Sequence, residues 1–294
     1  MIESTMKKRP SISQRLEFID FTLYWSGGIQ RGQVKERFGV SIQQASADLA
    51  AYQELAPKNL QYDLSAKRYI SSDKFKPVLF QPSADKYLAQ LNAVGTGILQ
   101  SADTWIPSLP PLGLLPLPSR RVEPLVLRAL LAAINNGSSV EIRYKSMNAE
   151  LHATDWRRVT PHAFGSDGTR WHVRAYCHRG NRFKDFILSR CFEVKGEDAA
   201  GAVAADDKQW NELFTVTLGA NPLLSPSQKL AIEHDYNMTN GAVAITVRNA
   251  LLYYFDKRMR LDVKPDPLNP KSSPLAVINF ESYESALSAL GARK

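Results

Sequence analysis

The sequence of 294 residues is poor in cysteine and histidine, with two and five respectively, and it carries fewer acidic than basic side chains, 29 against 37. Cys177 and Cys191 match neither a disulfide framework nor a C-x-x-C metal or redox motif, so both read as small buried apolar side chains. No apolar run reaches the roughly 18 residues needed to span a bilayer. The opening MIESTMKKRPSISQR has no apolar core of the signal-peptide kind, and a cytoplasmic globular protein with no membrane partner is expected. P-loop, G-x-G-x-x-G, G-x-S-x-G and H-E-x-x-H patterns are also missing, so neither an enzyme nor a bound cofactor is expected, and no catalytic residue is assigned. His162 and His172 have no acidic partner at metal-ligand spacing in the sequence. They are expected as core or pocket imidazoles, and no metal is assigned.

What is present is a basic excess of +8, unevenly placed. Residues 1–75 hold 11 Lys and Arg against 8 Asp and Glu, residues 140–196 hold 11 against 6, and residues 205–294 balance at 10 each. Two basic blocks and one neutral block suggest two polyanion-facing modules joined to a third that binds no polyanion.

In the first block Ile12, Leu16, Ile19 and Leu23 recur at helical spacing after a possible cap at Ser11 or Ser13, and the helix is expected to end near Gly27-Gly28. A short helix presenting Val34 and Phe38 follows. Gly39 then suits a helix C-terminus, and Ser41 can cap a third helix from about Ile42 to Leu55. Helix, tight turn, helix is the spacing of a helix-turn-helix, whose second helix enters the major groove. Gln43, Gln44 and Ala47 then face bases, where Gln suits adenine and Ala a thymine methyl. LQYDLSAKRYISS continues as a hairpin wing turning at Ser65-Ala66, with Lys67 and Arg68 at its tip for phosphate. The DNA-binding set is Arg31, Ser41, Gln43, Gln44, Ala47, Lys67 and Arg68.

A helix is expected around Ala84–Val94. The stretch from Trp105 to Pro124 contains six prolines and so cannot be a regular helix or central strand. Its apolar residues imply a connector docked on a surface. Leu125–Asn135 reads as an amphipathic helix stopped by Asn136-Gly137. Residues 138–196 then switch to strands separated by turns at Gly165–Gly168 and Gly180-Asn181, suggesting a small barrel or highly twisted sheet. Trp171, Val173, Ala175 and Cys177 are expected on its core side. Arg170, His172, Arg174 and Tyr176 are expected on an opposite cationic face suited to a phosphate or nucleotide. Asp206-Asp207 falls in a small-residue spacer and reads as solvating. The remainder mixes strands with helices near Gln228–Asp235 and Ala250–Arg258.

The segments VEIRYKSM, RRVTPHAF, RWHVRAYC and FILSRCFEV, in that order, resemble the WYL domain, an Sm-like barrel of bacterial ligand-responsive regulators. The signature Trp-Tyr-Leu stands here as Trp171-His172-Val173. The domain order is similar to BREX-associated repressors and their CBASS-associated relatives beside phage-defence systems.

The resemblance implies an α+β multidomain protein with four parts. They are a winged helix-turn-helix at 1–75, a helical and Pro-rich linker at 76–137, an Sm-like (SH3-like) WYL β-barrel at 138–196, and a small α/β C-terminal dimerisation domain at 205–294. LLYYFDKRM, with Leu251, Leu252, Tyr254 and Phe255, is the candidate dimer helix, although the same residues suit a core. A homodimeric repressor on inverted repeats is further implied, with a nucleic-acid or nucleotide effector. The ligand positions carried over are Tyr144, Ser146, His172, Arg174, Arg182 and Arg190. The competing reading is a single-strand or RNA-binding protein acting through its basic barrel.

Overall fold

A computed structural model describes residues 11–106, 108–147 and 155–291. The chain divides into two compact units after Leu117.

In the first unit, Ser11 and Gln14 form a capping box that starts helix α1 (Ile12–Ser26), and Gly27 ends it at φ +67. The two-residue strand β1 (Gly28–Ile29) leads to α2 (Arg31–Phe38), which Gly39 closes in the same left-handed conformation. Ser41 accepts from Gln44 N to begin α3 (Ile42–Leu55). Strands β2 (Leu60–Asp63) and β3 (Arg68–Ser71) form the expected wing. β1 adds a third strand beside β3, giving the order β1-β3-β2 that sequence alone did not reveal.

Phe18, Ile19, Leu23, Val34, Ala45, Leu49 and Tyr52 form the core of this unit. Asp20 is buried in α1. Its carboxylate accepts from the Tyr52 hydroxyl and, at 2.7 Å each, from the backbone N–H groups of Val78 and Leu79, pinning the segment after the wing to the first helix. Helix α4 (Ala84–Gly95) follows. The connector docks in part: Trp105 meets Phe18 and Phe21 edge-on, Ile106 is buried, and Leu112 and Leu114 press on Gly95, while Leu115 and Leu117 are exposed.

The second unit begins with α5 (Pro124–Asn136), which has Pro at its first turn and Gly137 beyond its end. Its Val126, Leu130 and Ala133 pack on an antiparallel sheet. That sheet comprises β4 (Ser139–Tyr144), β5 (Asp155–Ser166), β6 (Trp171–Cys177), β7 (Arg182–Ile187) and β8 (Cys191–Asp198), in the order β7-β6-β5-β4-β8. The expected closed barrel is not formed, because no ladder joins β7 to β8 among the described residues. A 3-10 turn at Leu188–Arg190 carries the chain from one edge to the other, and β8 spends its hydrogen bonds on β4. Register shifts put extra residues in β8 where it pairs β4 and in β5 where it pairs β6, irregularities of the kind that bend a sheet.

Beyond it, α6 (Lys208–Asn211) precedes β9 (Leu213–Ala220), which is the centre of an antiparallel sheet with β10 (Ala242–Arg248) and β11 (Leu275–Val277). Helices α7 (Pro226–Asp235), α8 (Asn249–Arg258) and α9 (Phe280–Ala289) accompany this sheet. Val216, Leu218, Leu252, Leu275, Tyr283 and Leu287 are its core. Much of α8, the candidate dimer helix, faces its own chain: Leu252 is buried, Phe255 packs on the core and Leu251 closes on Gly165.

Candidate nucleic-acid interface and ligand face

On α3 the alternation of buried Ala45, Asp48, Leu49 and Tyr52 leaves Gln43, Gln44, Ala47 and Ala50 exposed. Ser41 is exposed as the helix cap. Gln44 is tethered to its own helix: its Nε2 donates to Asp48 Oδ1 at 3.0 Å. Asp48 in turn takes a two-pronged ion pair from Arg15 of α1, Nε to Oδ2 at 2.7 Å and Nη2 to Oδ1 at 3.0 Å. These two buried groups hold each other's charge, and Arg15 sits above its ordinary pKa, chiefly through its hydrogen bond to Asp48. Sequence reading missed both because they lie 33 residues apart.

The wing turn is preset. Asp63 Oδ1 accepts from the N–H groups of Ser65 and Ala66 at 2.8 and 2.9 Å, and Lys67 adopts φ +51. Arg31 at the start of α2 and Lys67 and Arg68 of the wing line one open cleft of about 350 Å³, together with Tyr62 and Tyr69. None of these three cations is paired with a carboxylate among the described residues. Uncompensated basic charge gathered on one surface is what a phosphate backbone requires.

The ligand face expected on β6 differs from its sequence reading. Val173, Ala175 and Cys177 are core, but Trp171 is 57% exposed at the strand's start. On the opposite face Arg170 and Tyr176 are half-buried, and Arg174 lines a pocket with Asp185, Gln209 and Tyr254. His172 and Arg174 are only 1% and 4% exposed, covered by residues from the C-terminal part of the chain. Arg174 Nε and Nη2 donate to the two oxygens of Asp207 at 2.7 and 2.9 Å, Nη2 also to Gln209 Oε1 at 3.0 Å, and Nη1 to Asp185 at 3.2 Å. Asp207 takes a further contact from His162 Nε2 at 2.9 Å and caps α6 through Trp210 N.

The spacer carboxylate read as solvating is thus 1% exposed and at the centre of the cluster. Burial opposes its charge, but the hydrogen bond and field of Arg174 prevail and hold its pKa below the ordinary range. Burial likewise opposes the charge of Arg174, and the bond to Asp207 and the field of Asp185 overcome it. Its N–H donors face partners of the chain's own making.

His172 stacks on Tyr254 of α8 with centroids 4.6 Å apart, and among the described residues neither of its ring nitrogens has a hydrogen-bond partner. Burial lowers its pKa. The Tyr254 hydroxyl donates to Asp185 at 3.0 Å. Tyr144 is buried edge-on to Phe186, with the Arg157 guanidinium 5.6 Å over its ring. Ser146 is half-buried just beyond β4. Arg190, also half-buried, lies near by, its Nη2 2.7 Å from Met147 Sδ. Arg182 is exposed at the start of β7, opposite Cys177.

The six proposed ligand residues therefore fall into three places. Tyr144, Ser146 and Arg190 gather at the end of β4, His172 and Arg174 lie beneath the C-terminal segment, and Arg182 stands apart. Among the described residues no group of three or more His, Cys, Asp or Glu is placed to hold a metal. No described helix is long and apolar enough to cross a membrane.

A helix-turn-helix with a three-stranded wing, joined to a five-stranded sheet bearing the WYL strand pattern, defines the class as a winged-helix protein with an appended WYL-type module. Residues 11–93 match the model of the BrxR transcriptional regulator winged helix-turn-helix domain, residues 125–195 that of the WYL domain, and residues 213–283 that of the BrxR transcriptional regulator C-terminal dimerization domain. The chain is similar to the DNA-binding transcriptional repressor CapW of Stenotrophomonas maltophilia, 36% identical over 281 residues that cover 95% of this chain and 93% of that one. CapW of Escherichia coli is 35% identical over 274 residues, 93% of this chain and 91% of the relative. CapW of Pseudomonas aeruginosa is 34% identical over 276 residues, with the same coverage. The chain belongs to the CapW family.

Proposed function

We propose that this protein is a sequence-specific DNA-binding transcriptional repressor that acts as a homodimer on inverted repeats upstream of a phage-defence operon. The observation that carries this reading is the convergence of Arg31, Lys67 and Arg68 on one cleft without neutralising carboxylates, in the same unit as the exposed Gln43 and Ala47 of α3. The cations supply salt-dependent affinity and the recognition helix supplies base preference. The relatives' description as DNA-binding repressors and the match to a dimerization domain support it.

In this reading the WYL module takes a nucleic-acid or nucleotide effector that weakens operator binding. Half-buried Ser146 and Arg190 form its edge over the buried Tyr144 ring, with Arg182 exposed to solvent. Arg174 lines a pocket with Asp185, Gln209 and Tyr254, and an anion bound there competes with the carboxylates of Asp207 and Asp185 for its guanidinium, which loosens the Asp207 cap of α6.

The test is a gel-shift titration of the full chain on the duplex upstream of its own gene, against a scrambled duplex of equal length, at 50 and 200 mM salt. A dimer making six to ten phosphate contacts loses roughly 10³- to 10⁵-fold in affinity between these salt concentrations. Preference for the upstream duplex with that steepness is the expected result. Equal weak binding to both duplexes would overturn the proposal.

A further inference from the structure

The bond between Gln44 and Asp48 reaches back into the protein core, and we infer that Arg15 and Asp48 are positioning residues that fix the base preference of Gln44 without touching DNA. The inference rests on α3 being the recognition helix.

Amide oxygen and nitrogen are told apart here by chemistry. An ionised carboxylate only accepts, so the Gln44 atom at 3.0 Å from Asp48 Oδ1 is the NH₂. Asp48 itself cannot turn. Its two oxygens are gripped by the fork of Arg15, both groups are buried, and Asp48 has no exposed surface. A guanidinium meeting a carboxylate in two places defines a plane as well as a distance. That plane sets where Oδ1 lies, and Oδ1 sets the Gln44 amide.

One amide hydrogen is thereby used. Among the described residues Gln44 Oε1 and the second amide hydrogen have no protein partner, on an exposed side chain. One acceptor beside one donor is the complement of the adenine N6/N7 edge. A Gln restrained in that pose has surrendered its rotamer freedom before DNA arrives, so its discrimination against other bases is greater than that of a free Gln. Gln43, one residue earlier and without such a restraint, has no comparable preset.

The experiment measures operator preference base pair by base pair. The full chain competes for its operator duplex against duplexes carrying each single-base substitution. It is run as wild type, as Gln44→Ala, as the paired apolar replacement Arg15→Met/Asp48→Leu, and as the triple variant. Replacing both partners avoids the stranded buried charge that a single substitution would leave. In wild type, Gln44→Ala is expected to reduce discrimination at one adenine position about 10-fold. In the Arg15→Met/Asp48→Leu background the same substitution is expected to change it less than about 2-fold, while binding to scrambled duplex stays as in wild type.

Should the paired replacement fail to fold, Arg15→Lys retains the charge and loses the fork, and a flatter profile at that position alone is expected. An unaltered profile in the paired replacement, or in Arg15→Lys if that is the variant used, overturns the inference. A wild type that does not distinguish operator from scrambled duplex instead overturns the DNA-binding reading on which it stands.

Discussion

Arg174 on β6 and Asp207 ahead of α6 share two hydrogen bonds, at 2.7 and 2.9 Å, in a place where neither side chain reaches solvent. One residue comes from the strand that carries the family signature, and the other from a spacer 33 residues later.

Removing Asp207 takes two of the hydrogen bonds of a buried guanidinium, leaving it Asp185 as its carboxylate partner, deprives the His162 imidazole of its carboxylate and uncaps a helix. Asp207→Ala is expected to destabilise the second unit by about 3–5 kcal/mol. Thermal unfolding followed by circular dichroism measures it. A melting temperature within a degree of wild type would show that the pair contributes nothing.

Because burial lowers the His172 pKa, the unfolded chain takes up that proton first as the pH falls. The stability from neutral His172 is full above the ordinary histidine value of about 6.5 and drains away as pH drops towards the folded value. Asp207, with a lowered pKa, loses its contribution only below about pH 4, so the two windows are separate. His172→Phe keeps the stack on Tyr254 and abandons no hydrogen bond, since the ring nitrogens make none among the described residues. Its melting temperature is expected to match wild type at pH 7.5 and to exceed it at pH 5.5. His178, also lowered by burial, is common to both proteins and leaves a residual slope. Identical acid sensitivity in the two proteins would contradict this assignment.

In the proposed interface the wing cations and the helix amides divide the labour of binding. Lys67→Ala or Arg68→Ala is expected to weaken upstream and scrambled duplexes alike and to reduce the slope of log affinity against log salt by about 0.9 for each phosphate no longer neutralised. Gln43→Ala is expected to spare the salt slope and lower discrimination by about 1–3 kcal/mol at its base pair. Fluorescence anisotropy across a salt series separates the two behaviours, and interchanged effects would refute the division.

Gly28 sits where a Cβ would come within 2.8 Å of the Tyr69 carbonyl, across the β1–β3 pair that anchors the wing. Gly28→Ala is expected to cost about 1–3 kcal/mol as the backbone gives way. The protein should bind upstream duplex with a shallower salt dependence, because the wing shifts. Wild-type stability and salt slope would show that the wing does not depend on this approach.

Local chemistry was legible where neighbours in sequence are neighbours in space. Ser11, Gly27, Gly39, Ser41 and Gly137 delimit helices by rules that need only a few adjacent residues, and the structure places each at the helix end it marks. The period-two run from Leu60 marked the wing, but β1 did not show, because two residues have no period. Alternation along β6 correctly separated Val173, Ala175 and Cys177 from His172 and Arg174. It could not say what covers the second face. That depends on Asp207, Gln209 and Tyr254, which are remote in sequence, and one acidic residue in a spacer looks the same whether it meets water or a guanidinium. The open sheet is a matter of which edges pair, and residue pattern carries no information on that.

The grip of Asp20 on the N–H groups of Val78 and Leu79 bears on how the molecule can be dissected. A fragment ending at residue 75 deletes both donors and leaves a buried carboxylate with only the Tyr52 hydroxyl to answer it. Extending the cut past Ile106 retains those donors and the Trp105 ring on Phe18 and Phe21. The smallest self-sufficient piece of the first unit therefore includes thirty-odd residues beyond the wing, and shorter excisions would report on a damaged helix α1 rather than on recognition.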